Sequence, residues 1–74
     1  MKNKFYYITH KKKYLYNDTE VGPILADVPT LFSSKNEAKE LLNDISSDNM
    51  VLIEDGSFPS SEFIVNSFTL EAKI

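Results

Sequence analysis

The sequence predicts an α+β fold in which one helix packs on one face of an antiparallel sheet of four to five strands, in the order ββ(β)αββ. One segment, residues 34–45, repeats apolar side chains at helical spacing. The segments on either side are short runs of aromatic and β-branched residues separated by turn residues, as is typical of strands. The chain has 74 residues, a length that predicts a single domain, residues 1–74.

The first two strands are predicted to form a hairpin over residues 4–16. Residues 4–9 and 14–16 are rich in aromatic and β-branched side chains, and a polar turn with His10 and three lysines separates them. Both faces of the first strand are largely apolar, which predicts a central strand or one whose outer face is covered. Because lysines surround His10, we expect it to be a solvated turn residue.

The connection from this hairpin to the helix is predicted to contain two breaks, at residues 17–20 and at Gly22-Pro23. Three apolar residues are unsuited to a free loop and are expected on the sheet or under the helix: Ile24, Leu25 and Val28. A short extended piece then runs up to Leu31-Phe32.

The helix is predicted from Lys35 to Ile45 or Ser46, with an apolar stripe formed by Ala38, Leu41, Leu42 and Ile45. Ser34 and Glu37 have the spacing of a capping box. In this motif the serine hydroxyl accepts from the Glu37 amide, and the Glu37 carboxylate reaches back to the Ser34 amide. Asn49 is a candidate for a left-handed backbone after the helix.

Two strands are predicted after the helix, over residues 50–54 and 62–73, joined by a turn region too long for a two-residue hairpin. In the last strand, Phe63 and Val65 have the opposite parity to Phe68 and Leu70. This change predicts a β-bulge or a sharp bend near Asn66-Ser67. In a straight strand, Ile64 would instead face the core and Phe63 would be exposed.

The composition argues against several classes of protein. Without cysteine, the chain forms no disulfide and offers no thiolate to a metal or to a nucleophilic mechanism. No run approaches the roughly 20 apolar residues of a membrane-spanning helix, and the apolar run at residues 5–8 is too short for a signal peptide. We therefore expect a cytoplasmic protein without a membrane segment.

No catalytic or metal-binding pattern is present in the sequence. His10 is the only imidazole, and the two glycines cannot form a phosphate-binding loop. Four acids lack the spacing of a calcium loop: Asp44, Asp48, Glu54 and Asp55. We therefore expect a protein that is not an enzyme and that binds no metal or cofactor.

Charge is distributed unevenly and gives two candidate binding sites. Residues 1–13 carry five lysines and no acid, whereas residues 14–74 carry three lysines and all eleven acids. The first candidate is an acidic ridge for a protein partner, with spacings of three, four and four along the helix: Glu37, Glu40, Asp44 and Asp48. Acids near the C-terminal end of a helix are unfavourable for its stability, so a helix optimised only for stability would not carry them, and the ridge could dock on a basic partner. In the competing interpretation, the ridge is a solvated helix face that tolerates a cost of a few tenths of a kcal/mol.

The second candidate is a basic and aromatic site for nucleic acid. It consists of Lys11, Lys12, Lys13, Tyr14 and Tyr16. Lysines contact phosphates and tyrosines stack on bases. In the competing interpretation, the tyrosines pack on the sheet and the lysines protect a turn. The net charge of −3 disfavours nucleic acid elsewhere on the surface.

Residues 26–38, Ala-Asp-Val-Pro-Thr-Leu-Phe-Ser-Ser-Lys-Asn-Glu-Ala, follow a tyrosine-rich strand and Tyr14-Leu15. This arrangement resembles small phage and prophage accessory proteins, over residues 5–45. The resemblance implies a compact α+β protein that binds a host or rival protein, in the size class of anti-CRISPR and other anti-defence inhibitors.

A second copy of the chain is a further expected partner, because both faces of the first strand are apolar.

Overall fold

The computed structural model describes residues 2–71 and confirms the α+β fold class. A four-stranded antiparallel sheet has the order β3-β2-β1-β7, and a smaller antiparallel sheet has the order β4-β5-β6. The elements are β1 Lys2–His10, β2 Lys13–Asp18, β3 Gly22–Ala26, α1 Lys35–Asp44, β4 Ser46–Ser47, β5 Met50–Ile53, β6 Gly56–Pro59, a 3-10 turn Ser60–Glu62, and β7 Phe63–Glu71. Within residues 2–71, no helix has the length and apolar character needed to cross a membrane.

The predicted first hairpin is confirmed, and β1 is a central strand between β2 and β7. Lys11 and Lys12 form the two-residue turn, and Lys11 has a left-handed backbone with φ of 56°. Pairing of β1 with β2 is limited to the two residue pairs next to this turn, Thr9 with Tyr14 and His10 with Lys13.

The predicted extended piece before the helix lies between β1 and β2. Phe32 exchanges two backbone hydrogen bonds with Tyr6, at 2.9 and 2.8 Å, and the Thr30 amide donates to the Leu15 carbonyl. This segment therefore pairs with β1 at the part of the strand where β2 no longer does. The backbone N–H and C=O of Tyr6 consequently point away from β7.

Of the three apolar residues predicted to lie on the sheet or under the helix, two lie on the sheet. Ile24 and Leu25 belong to β3, where they pair with Tyr16 and Leu15. The prediction is wrong for Val28, whose side chain is 57% exposed, because the chain leaves the sheet after Ala26.

The helix begins and ends close to the predicted positions, and half of the capping box is formed. The Ser34 hydroxyl accepts a hydrogen bond from the Glu37 amide at 3.2 Å, which satisfies one free donor of the first turn. The carboxylate of Glu37 accepts from the amide and hydroxyl of Ser33 and not from Ser34 as predicted. Asn49 is left-handed, with φ of 64°, within the turn that joins β4 to β5.

The turn that follows β5 is shorter than the sequence predicted. Ile53 pairs with Gly56 across a two-residue turn, Glu54-Asp55, so the prediction that this connection is too long for a two-residue hairpin is wrong. Gly56 has φ of 132°, a backbone conformation that residues with a Cβ atom rarely adopt. The remainder of the predicted turn forms β6 and the 3-10 turn.

The predicted bulge in the last strand is wrong. β7 pairs with β1 in one unbroken register, from Lys2 opposite Glu71 to His10 opposite Phe63. The expectation for a straight strand is also wrong, because Phe63 is buried and Ile64 is 58% exposed. Only the first part of β7 lies over the core. Further along, the inner-face positions Ser67 and Thr69 are exposed and polar.

The core lies between the inner face of the four-stranded sheet, the helix and the smaller sheet. Its buried apolar residues are Ile8, Leu15, Ala38, Val51 and Phe63. The remaining members of the predicted helix stripe pack against it and are half-buried: Leu41, Leu42 and Ile45. The paired strands β1 and β7 extend past this core, in a molecule that measures 45 × 21 × 21 Å.

Candidate interaction surfaces

The four acids of the predicted ridge lie on two different elements. Glu37, Glu40 and Asp44 are exposed on α1, whereas Asp48 lies in the turn between β4 and β5, so the prediction of a single helix ridge is wrong for Asp48. The helix ends at Asp44, and the chain reverses direction after β4. Glu37 caps the start of the helix through Ser33 and is therefore occupied.

An open groove of about 610 Å³ lies between α1 and the β4–β5 turn. Glu40 and Asp48 both line it, together with Lys39 and several amide and hydroxyl side chains. Asp44 lies one helical turn beyond Glu40, on the same side of the helix. Among residues 3–70, whose side chains the structure describes, none of these three carboxylates forms an ion pair. We name Glu40, Asp44 and Asp48, with the adjoining cavity, the acidic groove.

Acidic side chains partly neutralise the three consecutive lysines, Lys11, Lys12 and Lys13, which we name the basic turn. Lys13 Nζ lies 2.6 Å from Asp27 Oδ1, and Lys11 Nζ lies 3.9 Å from Glu62 Oε2. The hydrogen bond from Lys13 and its positive charge hold the pKa of the Asp27 carboxyl below its ordinary value of 3.8. Among the described residues, Lys12 has no ion-pair partner.

The tyrosines predicted to accompany these lysines belong to β2. Tyr14 packs against Tyr7 with a ring-centroid distance of 5.8 Å, and Tyr16 pairs with Ile24 of β3. Both side chains are half-buried. Their packing on the sheet agrees with the competing interpretation of this site.

His10 is buried, so its assignment as a solvated turn residue is wrong. Its side chain is 6% exposed, and Nε2 lies 2.8 Å from Glu62 Oε1. The ring lies 4.8 Å from that of Phe58 and 4.6 Å from that of Phe63. Alternation along β1 was the available signal, because His10 follows the core residue Ile8 by two positions.

The surroundings of this pair hold no metal-binding cluster among the described side chains. Within residues 2–71, no group of three or more histidine, cysteine, aspartate or glutamate side chains is placed to hold a metal ion. The pair of His10 and Glu62 ties β1 to the 3-10 turn before β7.

The side of β1 and β7 that faces away from the helix is an apolar surface, of which the sequence indicated the part on β1 but not the part on β7. We name this the outer face; it consists of Phe5, Tyr7, Thr9, Ile64, Asn66, Phe68 and Leu70. The Phe68 ring lies 5.7 Å from that of Phe5 and 5.9 Å from that of Tyr7. Ile64 and Leu70 are both more than half exposed. The alternation of Phe68 and Leu70 was the signal, but it marks the outer face and not the core.

Comparison of the chain with protein-family models, with curated proteins and with solved structures finds no match. The acidic groove, the basic turn and the outer face are therefore the features on which a function can be based.

Proposed function

We propose that this chain is a small binding protein without catalytic activity, which engages a protein partner through the acidic groove. The observation that carries this proposal is the position of Glu40, Asp44 and Asp48, which are exposed and form no ion pair with the side chains of residues 3–70. Two of them line a concavity large enough to admit side chains of another protein.

The groove favours a partner with basic side chains. Its lining includes two carboxylates and one lysine, and the other polar groups are amides and hydroxyls. Arginine is well suited to such a site, since its guanidinium donates two parallel hydrogen bonds to one carboxylate. Asp44 adds negative charge near the C-terminal end of α1, where it does not stabilise the helix.

The resemblance to phage and prophage accessory proteins adds a biological class to this proposal. In that class, the partner is a host or defence protein, and the chain acts as an inhibitor or modulator in the cytoplasm of the host cell. The alternative, nucleic-acid binding at the basic turn, has less support because Lys11 and Lys13 each have an acidic partner.

Charge reversal tests the acidic groove. The double variant Glu40→Lys, Asp44→Lys and the control Glu54→Lys, Asp55→Lys change the net charge equally, and all four residues are exposed. Each variant and the unchanged chain serve as bait for affinity capture from bacterial lysate, followed by mass spectrometry. We expect the unchanged chain and the control to retain the same protein, which the groove variant loses.

The affinity for the captured protein gives the quantitative result. We expect the groove variant to bind at least about tenfold more weakly, and added salt to weaken binding of the unchanged chain. Far-UV circular dichroism verifies that both variants are folded. If the groove variant captures the same protein with the same affinity as the unchanged chain, the acidic groove is not the binding site.

A further inference from the structure

We propose that two copies of this chain form a dimer by antiparallel pairing of β7 with β7, centred on Ser67. This pairing would join the two four-stranded sheets into one continuous sheet. The proposal concerns the free edge of β7 and is independent of the acidic groove.

The edge of β7 that faces away from β1 has unused hydrogen-bonding groups. Tyr6 exchanges its backbone hydrogen bonds with Phe32, so its partner in the register, Ser67, does not bond to β1. In an antiparallel ladder this pattern alternates, so the N–H and C=O groups of Val65, Ser67 and Thr69 all point outwards. Within residues 2–71, β7 pairs with no strand other than β1, and no turn or loop backbone bonds to these three residues.

This edge lacks the features that normally prevent strands from pairing. β7 is nine residues long, and from Phe63 to Leu70 it contains no proline and no charged residue. Natural edge strands are usually short, carry lysine or proline, or are interrupted by a bulge. The unbroken register shows that β7 has no bulge.

The far end of the molecule would be stabilised by an additional strand. Among the described residues, 2–71, the four-stranded sheet narrows to β1 and β7 beyond the contact of Tyr6 with Phe32. A two-stranded ribbon is marginally stable in water unless a third strand or a packed layer supports it. A second copy would provide a third and a fourth strand along β7 from Ile64 to Leu70.

A second copy suits this edge, because a two-fold axis at Ser67 pairs the outward backbone groups of Val65, Ser67 and Thr69 with one another. With Ser67 opposite Ser67, Val65 lies opposite Thr69, and their outward N–H and C=O groups meet in complementary pairs. On the outer face, Ile64 lies opposite Leu70 of the second copy. From Ile64 to Leu70 neither copy contributes a charged residue, so this part of the register brings no like charges together.

The two-fold axis makes Ser67 a specific test, because this residue meets itself. Ser67→Lys and Ser67→Glu each place two like charges directly opposite one another in the dimer. Ser67 is exposed and its backbone does not bond to β1, so both changes leave the monomer folded. A mixture of the two variants places a lysine opposite a glutamate. The control is Ser57→Lys, at an exposed position of β6.

Sedimentation velocity over a wide range of concentrations gives the mass of each species. We expect the unchanged chain and the Ser57→Lys control to rise from 8.5 kDa towards twice that mass. Each Ser67 variant alone should dimerise about fivefold more weakly, and their mixture should regain the affinity of the unchanged chain. Ser67→Pro, which removes the central donor, should abolish the dimer.

Two results would overturn this proposal. One is an unchanged chain that sediments as a monomer at every concentration. The other is a dimer whose affinity is the same in the Ser67→Lys variant, the Ser67→Glu variant and their mixture. The second result would indicate that the copies meet through another surface, such as the outer face.

Discussion

Replacing His10 tests whether the contacts of its buried ring stabilise the fold. The proposed pair of variants is His10→Ala, which removes the ring and its hydrogen bond, and His10→Phe, which keeps a ring and removes only the hydrogen bond. Comparison of the two separates packing from hydrogen bonding at one position.

The expected magnitudes follow from the surroundings of His10. The ring packs against two phenylalanine rings, and removing a buried aromatic ring of this size costs about 2 kcal/mol in contacts. Loss of the hydrogen bond to Glu62 adds about 1 kcal/mol. This value is low for a hydrogen bond to a carboxylate, because the glutamate side chain is one-third exposed and water can replace the histidine. We therefore expect His10→Ala to lower the free energy of unfolding by about 3 kcal/mol and His10→Phe by about 1 kcal/mol.

Urea and thermal unfolding, followed by circular dichroism, measure both values. In a domain of this size, a loss of 3 kcal/mol corresponds to a fall of roughly 15 °C in Tm. If both variants unfold within about 0.5 kcal/mol of the unchanged chain, His10 is solvated and the burial argument is refuted. Equal and large losses in the two variants would instead show that the hydrogen bond, and not the packing, is the stabilising contact.

Two further predictions concern local contacts. Because the pKa of Asp27 is lowered, its pairing with Lys13 stabilises the fold above the unfolded pKa, and this contribution is lost as the pH falls through the folded pKa. An NMR titration of the Asp27 carboxyl should give a pKa below 3.8 in the unchanged chain and a pKa closer to 3.8 in the Lys13→Gln variant. Identical pKa values in the two proteins would contradict the pairing. Ser34→Ala should lower the free energy of unfolding by about 1 kcal/mol through loss of the helix cap. The control Ser57→Ala should change it by less than about 0.5 kcal/mol in the same urea titration, and equal effects would show that the cap contributes nothing specific.

The elements that could be predicted from the sequence are those encoded by neighbouring residues. The helix was predicted because Ala38, Leu41 and Leu42 share one face and Ser34 supplies the cap. The first hairpin was predicted because a polar turn separates two aromatic runs. In both cases the interacting residues lie within about ten positions of each other, so a short pattern contains the information.

The errors concern residues whose environment depends on distant segments. His10 is buried because Phe58, Glu62 and Phe63 meet it from the other end of the chain. The change of parity in β7 resembled a bulge, but it arises because the strand leaves the core partway along and stays apolar on its outer face. Neither effect is visible in the local alternation of side chains.

The candidate site was predicted in part. Glu40 and Asp44 were correctly placed together on one side of the helix, since residues four apart on a helix are neighbours. Asp48 was placed on the same ridge because its spacing continued the pattern, but the helix ends at Asp44 and the two residues of β4 lie before Asp48. The groove itself requires the second sheet, which has only short strands and therefore a weak pattern in the sequence.

The pairing of β1 with β7 determines how the chain folds as well as its final shape. The first hairpin closes over a two-residue turn, a process that takes microseconds, whereas joining His10 to Phe63 closes a loop of roughly 50 residues. The larger loop costs about 3 kcal/mol more in chain entropy. Ile8 pairs with Val65 of β7, so its burial requires this contact, and we expect the meeting of the two distant segments to limit the folding rate.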